Sequence, residues 1–76
     1  MTTIPTINTV ETGRNIRRLR RDRGLSIQDM QNVLFVNRQT IFKWQRGDTL
    51  PTLDNLVILA DIYQCSIDDM LVCEQF

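Results

Sequence analysis

The segment from Ser26 to Gly47, SIQDMQNVLFVNRQTIFKWQRG, constrains the fold more than any other part of this 76-residue chain. Ser26 can cap the start of a helix, and Asp29, three positions later, can return a hydrogen bond to the Ser26 backbone. Asn37 is a second capping residue, and Gly47 is suited to end the following helix in the left-handed conformation. The segment therefore predicts two helices joined by a tight turn.

Apolar residues at helical spacing mark the sides of these two helices that we expect to be buried. They are Ile27, Met30, Val33 and Leu34 in the first helix, and Ile41 and Trp44 in the second. Val36 and Ile41 also have the spacing of a hydrophobic staple, which would fix the angle at which the chain enters the second helix.

The other side of the second helix is mostly polar. At about 100° per residue, it carries Arg38, Gln39, Phe42, Lys43 and Arg46. Long polar side chains are the default on any solvated face, so the polar residues alone are compatible with an ordinary surface helix. Phe42 favours a binding face, because an exposed aromatic ring calls for a reason.

The chain contains RQTIFKWQRG at Arg38–Gly47, and LPTLDNL follows at Leu50–Leu56. Together with the preceding helix these stretches resemble the lambda-repressor-like helix-turn-helix family, the Cro and phage-repressor type also called XRE, over about residues 13–72. The resemblance implies an all-α fold with five short helices around one core. It also implies that the helix from Asn37 to Arg46 lies in the major groove of double-stranded DNA, with its N-terminal part on base edges.

The sequence departs from the family pattern at four positions. Gln31 stands where a small residue is usual, and Phe35 stands where the turn usually has glycine. Because a left-handed turn strains a residue that has a Cβ atom, we expect a slightly different turn here. Ile27 replaces a glutamine that often contacts the DNA backbone. Gln45 replaces an acidic residue that pairs with an arginine, here Arg20, so we expect Arg20 to be freer to meet a phosphate.

The net charge is zero, but the charges are unevenly distributed. Residues 1–47 contain nine basic and three acidic residues, 9 − 3 = +6, whereas residues 48–76 contain six acidic residues and no base, −6. The first part suits phosphates and the second would be repelled by them. A neutral total also predicts weak non-specific binding, because counterion release drives such binding. Binding should therefore depend on base contacts.

These observations and the resemblance predict a sequence-specific double-stranded DNA-binding transcriptional regulator of bacterial or phage type. The predicted base contacts are Arg38, Gln39, Phe42 and Lys43, with Gln39 suited to adenine and Phe42 to a thymine methyl group. The predicted phosphate contacts are Ser26, Asn37, Arg46 and Arg20. The alternative is a protein-interaction module of the same fold, an antitoxin-like or mobile-element partner protein, with Phe42 as apolar anchor and the acidic part as docking face.

We expect a homodimer on two DNA half-sites, because one module gives limited affinity. The apolar residues near the C-terminus, Leu71, Val72 and Phe76, are candidates for the dimer surface or for packing on their own core.

The remaining chain is interpreted as a flexible arm, residues 1–9, and one helix-turn-helix domain, residues 10–76. The first helix is expected from Val10 to Arg23, with Gly13 letting another helix approach closely. The fourth is expected from Leu53 to about Tyr63, after a Thr52 cap. Its apolar stripe comprises Leu56, Val57, Leu59, Ala60 and Tyr63. Ser66 and Asp69 predict a capping box for a short fifth helix that reaches Val72.

Catalysis and metal binding find little support in the composition. There is no histidine, so nucleophiles such as Cys65 and Ser66 have no obvious general base. Two cysteines eight positions apart do not make a zinc site. We predict no enzymatic activity, cofactor, metal or small-molecule ligand.

The chain has no signal-peptide pattern and no apolar run near the ~20 residues that span a bilayer, which predicts a cytoplasmic protein without a membrane partner.

Overall fold

The computed structural model describes residues 5–75. The elements are β1 (Pro5–Ile7), α1 (Thr9–Asp22), α2 (Ile27–Leu34), α3 (Arg38–Arg46), α4 (Leu53–Tyr63), α5 (Ile67–Met70) and β2 (Cys73–Gln75). The predicted architecture of five short helices around one core is confirmed, and a small two-stranded sheet is added to it. Within residues 5–75, no helix combines the length and the apolar character needed to cross a membrane.

Side-chain caps set where the helices begin. Ser26 and Ser66 each form a complete capping box, and the side chains of Asn37 and Thr52 accept a hydrogen bond from the backbone N–H three residues later. These bonds satisfy N–H groups that the first turn of a helix leaves unpaired. Asn8 caps α1 in the same way, which places the start of α1 at Thr9 rather than at the predicted Val10.

Nine buried apolar residues form one core, to which all five helices contribute: Ile16, Leu19, Met30, Leu34, Ile41, Trp44, Leu59, Tyr63 and Met70. Two residues that were expected in buried stripes, Val33 and Val57, are exposed. Val33 lies about 100° around α2 from Leu34, and Val57 lies about 200° around α4 from Leu59. Both therefore point away from the side that packs on the core.

The N-terminal segment differs from the predicted flexible arm. Pro5–Ile7 pairs antiparallel with Cys73–Gln75, and the Asn8 N–H donates to the Val72 carbonyl at 2.7 Å. Residues 5–9 are thus part of the folded domain, whereas residues 1–4 of the predicted arm lie outside the described residues. Three-residue strands are too short to show an alternating pattern, so no local signal marked them.

The fifth helix is shorter than predicted, ending at Met70 rather than at Val72. Leu71 is extended, and the Val72 N–H donates at 2.9 Å to Oγ1 of Thr12, a residue that is completely buried. The chain leaves the helix there because these hydrogen bonds tie Val72 to α1 and lead it into β2. Leu71 and Val72 are half-buried, and Phe76 lies outside the described residues.

Gly13 allows α1 and α3 to pack in direct contact, as the sequence predicted. A Cβ atom at this position would lie 2.7 Å from the Gln45 carbonyl oxygen and closer still to that of Trp44. Real Cβ atoms do not approach backbone so closely, so a residue with a side chain would push the helices apart. This contact fixes the back of α3 and leaves its other side facing outward.

Candidate nucleic-acid interface

The turn between α2 and α3 keeps the left-handed conformation despite the absence of glycine. Phe35 has φ 55° and ψ 39°, and its backbone N–H donates to the Gln31 carbonyl at 2.9 Å. The expectation of a different turn is therefore wrong. The Phe35 side chain is 91% exposed, so its ring meets no obstruction. The remaining strain, about 1–2 kcal/mol, is overcome by the packing of the two helices.

The two faces of α3 are separated as the spacing predicted. Ile41 and Trp44 are buried in the core. The exposed face carries Arg38, Gln39, Phe42, Lys43 and Arg46. The helix is thus held by its apolar side and presents the predicted base-contact residues to solvent.

The side chains of Gln39 and Lys43 are available for a ligand. Neither makes a hydrogen bond or an ion pair with another residue in the part of the chain that the structure describes. The guanidinium carbon of Arg38 lies 6.0 Å from the centre of the Phe42 ring, within the range of a cation–π interaction. This contact holds the guanidinium of Arg38 over the Phe42 ring on the outer face.

The predicted phosphate contacts at the two helix starts are partly engaged in capping. The Ser26 hydroxyl accepts from the Asp29 N–H at 3.0 Å, and the Ser26 N–H donates to Oδ2 of Asp29 at 2.8 Å. This N–H lowers the pKa of Asp29, so a carboxylate charge stands beside Ser26. Oδ1 of Asn37 accepts from both the N–H and the hydroxyl of Thr40, which leaves the Asn37 amide N–H groups free to donate.

Arg20 is held by the fold, contrary to expectation. Its Nε donates to Oε1 of Gln45 at 3.1 Å and its Nη1 donates to the Leu25 carbonyl at 2.7 Å. The neutral Gln45 therefore keeps the link between α1 and α3 that an acidic residue would make. The expected freedom of Arg20 is wrong, because the guanidinium bridges α3 and the loop before α2.

Arg46 has an acidic neighbour that the site prediction overlooked. Its Nη2 lies 2.9 Å and its Nε 3.0 Å from Oδ2 of Asp48. Both side chains are largely exposed, so the ion pair is worth little and a phosphate can replace the carboxylate. The separation of only two residues in the sequence was the available signal for this pair.

The fold and the exposed face of α3 define a helix-turn-helix protein. Residues 16–70 match the helix-turn-helix family. The chain belongs to this family, and its resemblance to the lambda-repressor-like, XRE type is confirmed.

Similar curated proteins have names of the same kind. The HTH-type transcriptional activator BcrR of Enterococcus faecalis is 26% identical over 66 residues, which cover 87% of this chain and 32% of BcrR. The HTH-type transcriptional regulator DdrOP3 of Deinococcus deserti is 31% identical over 61 residues, which cover 80% of this chain and 47% of DdrOP3. The chain thus spans about a third of the length of BcrR and just under half of the length of DdrOP3.

Solved structures share the fold. The restriction-modification controller protein C.AhdI from Aeromonas hydrophila superposes with a TM-score of 0.73 at 24% identity, over 83% of this chain and 96% of C.AhdI. The DNA-binding domain of BldD gives a TM-score of 0.70 at 24% identity, over 84% of this chain and 93% of that domain. These similarities establish the architecture of the five helices.

Proposed function

We propose that this protein binds double-stranded DNA in a sequence-specific manner and regulates transcription, as a bacterial or phage type of regulator in the cytoplasm. One observation carries the proposal: α3 is anchored by buried Ile41 and Trp44 and exposes Gln39 and Lys43 without partners in the described chain. A short helix held in this way can enter the major groove with its polar face toward base edges. The names of the helix-turn-helix relatives support the same activity.

The exposed side chains suit specific groups of the bases. The Gln39 amide can donate to N7 and accept from N6 of adenine, and Arg38 and Lys43 can donate to O6 and N7 of guanine. The Phe42 ring can lie against a thymine methyl group. Because Arg38 already lies against Phe42, these two side chains are partly oriented before DNA arrives.

Contacts to phosphates would position α3 without reading sequence. The Asn37 amide and the Ser26 hydroxyl can each donate to a phosphate oxygen while they keep their capping bonds. Arg46 can exchange Asp48 for a phosphate. Arg20 would contact a phosphate only through a guanidinium N–H that its bonds to Gln45 and Leu25 leave free, so we assign it the smallest contribution.

We further propose that two copies bind two half-sites about one helical turn apart, because one short recognition helix reads few base pairs. Leu71 and Val72 remain candidates for the contact between the copies. Their role is limited by the Val72 backbone, which already bonds to Asn8 and Thr12. The stoichiometry of the protein on a selected duplex, measured by native mass spectrometry, tests this proposal: two copies are expected.

The function is tested by in-vitro selection from random duplexes at low salt, followed by affinity measurements on the selected duplex. Gln39→Ala and Lys43→Ala should each weaken binding by about 5- to 150-fold, since a good base contact contributes roughly 1–3 kcal/mol. Gln28→Ala is the matched control for Gln39, because Gln28 is an exposed glutamine on α2. Equal affinities for all of these proteins would refute the assignment of α3, and failure to select any duplex would favour the protein-interaction alternative.

A further inference from the structure

The exposed face of α4 is both apolar and acidic. Leu53 is 71% and Val57 is 55% exposed, and Ile58 lies partly exposed beside them. Asp54 and Asp61 are on the same face and make no ion pair within residues 5–75. Since α4 contains no basic residue, this surface, which we call the α4 face, suits a partner that is basic and can cover apolar groups.

The exposed face of α1 has the opposite charge. It carries Arg14, Arg17, Arg18 and Arg21. Arg14 pairs with Glu11 and Arg18 pairs with Asp22, whereas Arg17 and Arg21 have no acidic partner among the described residues. These two arginines, one helical turn apart, together with exposed Val10, define the α1 face.

The two faces cannot meet within one molecule. Helix α1 buries Ile16 and Leu19, and α4 buries Leu59 and Tyr63, all in the same core. Each helix therefore turns its other side outward, and the α1 and α4 faces point away from the core in different directions. A contact between them requires two copies.

We propose that the α4 face of one copy docks on the α1 face of a second copy, with Arg17 and Arg21 beside Asp54 and Asp61. The apolar stems of the arginines would cover Leu53 and Val57, since such stems pack readily on apolar surface. A symmetric contact of two α4 faces would instead bring four aspartates together without a base. Charge complementarity therefore favours the head-to-tail arrangement.

Such a heterologous contact can be repeated from copy to copy. A contact between two single helices is smaller than a standard interface of about 1,200–2,000 Å², so it should be weak in free solution. The effect on DNA rests on the proposed function. Two copies bound to one duplex are tethered, which raises their effective concentration for each other. The contact would therefore favour occupation of neighbouring sites in the same orientation. This head-to-tail contact is distinct from the proposed two-fold pairing of two copies on two half-sites.

The test uses two variants of the 76-residue chain that each lose one face and keep the other. Arg17→Gln/Arg21→Gln removes the charges of the α1 face, and Asp54→Asn/Asp61→Asn removes those of the α4 face. Each variant is labelled with ¹⁵N in turn and titrated with the other, unlabelled, at about 20 mM salt without DNA, where exposed charges are weakly screened. Amide shifts report which helix of which copy is in contact.

The proposal expects a reciprocal result. With the arginine-to-glutamine variant labelled, shifts should concentrate in Leu53–Tyr63; with the aspartate-to-asparagine variant labelled, they should concentrate in Thr9–Asp22. Each variant titrated with itself should show at least 5-fold weaker effects on these helices. Asp68→Asn/Glu74→Gln, which removes the same charge elsewhere, should self-associate like the wild type.

Two outcomes would overturn the proposal. Shifts in α4 of both labelled proteins would indicate a symmetric contact, and an absence of shifts on both helices would show that the faces do not associate. Because no DNA is present, either outcome would leave the proposed function standing. Conversely, if no duplex is selected, a reciprocal pattern of amide shifts would still support the contact between the α1 and α4 faces.

Discussion

Phe35 and Gln64 are the two non-glycine residues of the described chain in the left-handed region, with φ 55° and 54°. Each ends a helix, α2 and α4 respectively. The strain at Phe35 is not compensated by burial, because its ring is almost fully exposed. The sequence showed that glycine was missing from this turn, but it could not show that the turn would persist, since that depends on how firmly α2 and α3 pack on the core.

Replacing Phe35 with glycine should stabilise the fold. Phe35→Gly removes the left-handed strain and loses little buried surface, and the greater freedom of glycine in the unfolded chain offsets part of the gain. We expect the free energy of unfolding to rise by about 0.5–1 kcal/mol, measured by urea denaturation. Phe35→Ala is the control, because it removes the ring but keeps Cβ and the strain. An equal gain in both variants would show that removal of the ring, rather than relief of strain, is responsible.

The buried phenol of Tyr63 should make the free energy of unfolding depend on pH in the alkaline range. Burial raises the pKa of Tyr63 to about 12, whereas an unfolded tyrosine titrates near 10. Between these values the unfolded chain has lost the phenolic proton and the folded chain still holds it, so stability should fall as pH rises, by up to about 3 kcal/mol. Urea denaturation from pH 8 to 12 should show this decrease in the wild type and a smaller one in Tyr63→Phe. Identical pH profiles of the wild type and Tyr63→Phe would show that a raised pKa of Tyr63 does not cause the decrease.

Among the helices and strands, those features that depend on neighbouring residues could be predicted from the sequence, and those that depend on distant residues could not. The caps of α2 to α5 could be predicted because Ser26, Asn37, Thr52 and Ser66 act within their own first turns. The two strands could not be predicted, because the partner of each lies at the other end of the chain. For the same reason the hydrogen bonds of Arg20 were not foreseen, since they depend on where Gln45 and the Leu25 carbonyl lie in space.

Gly13→Ala tests the contact between α1 and α3. Its Cβ would overlap the carbonyl oxygens of Trp44 and Gln45, which are backbone atoms and cannot move alone. We expect the free energy of unfolding to fall by about 2–3 kcal/mol. Gly24→Ala is the control: a Cβ there meets nothing within 4 Å, and only the left-handed φ of 68° opposes it, so its loss should be smaller. Equal losses would mean that Gly13 does not keep the helices close.

At the scale of the whole molecule, the charge is divided between a basic part up to Gly47 and an acidic part from Asp48 onward. This division was readable from the sequence, and the proximity of Arg46 and Asp48 in the sequence was a signal that the two parts meet at the end of α3. Asp48, the first acidic residue of the second part, pairs with Arg46 on the exposed side of α3. It therefore lowers the positive potential next to the proposed interface.

Removing Asp48 should strengthen DNA binding. Asp48→Asn frees Arg46 for a phosphate, and because an exposed ion pair is worth at most about 1 kcal/mol, the affinity for the selected duplex should rise by up to about 5-fold at low salt. The slope of log K against log salt should stay near the wild-type value, because Arg46 contacts the phosphate in both proteins, whereas Arg46→Ala should flatten it by about 0.9, the value of one phosphate contact. Asp68→Asn, which removes the same charge on α5, is the control. An unchanged slope in Arg46→Ala would show that Arg46 does not contact DNA.

A double-mutant cycle between Gln39 and individual base pairs of the selected duplex tests whether the outer side of α3 reads base pairs. Affinities are measured for wild type and Gln39→Ala on the selected duplex and on duplexes with one base pair replaced. One A·T pair should couple to Gln39 by about 1–3 kcal/mol, and the other positions should lose affinity equally with both proteins. Coupling near zero at every position would show that Gln39 reads no base pair of the duplex.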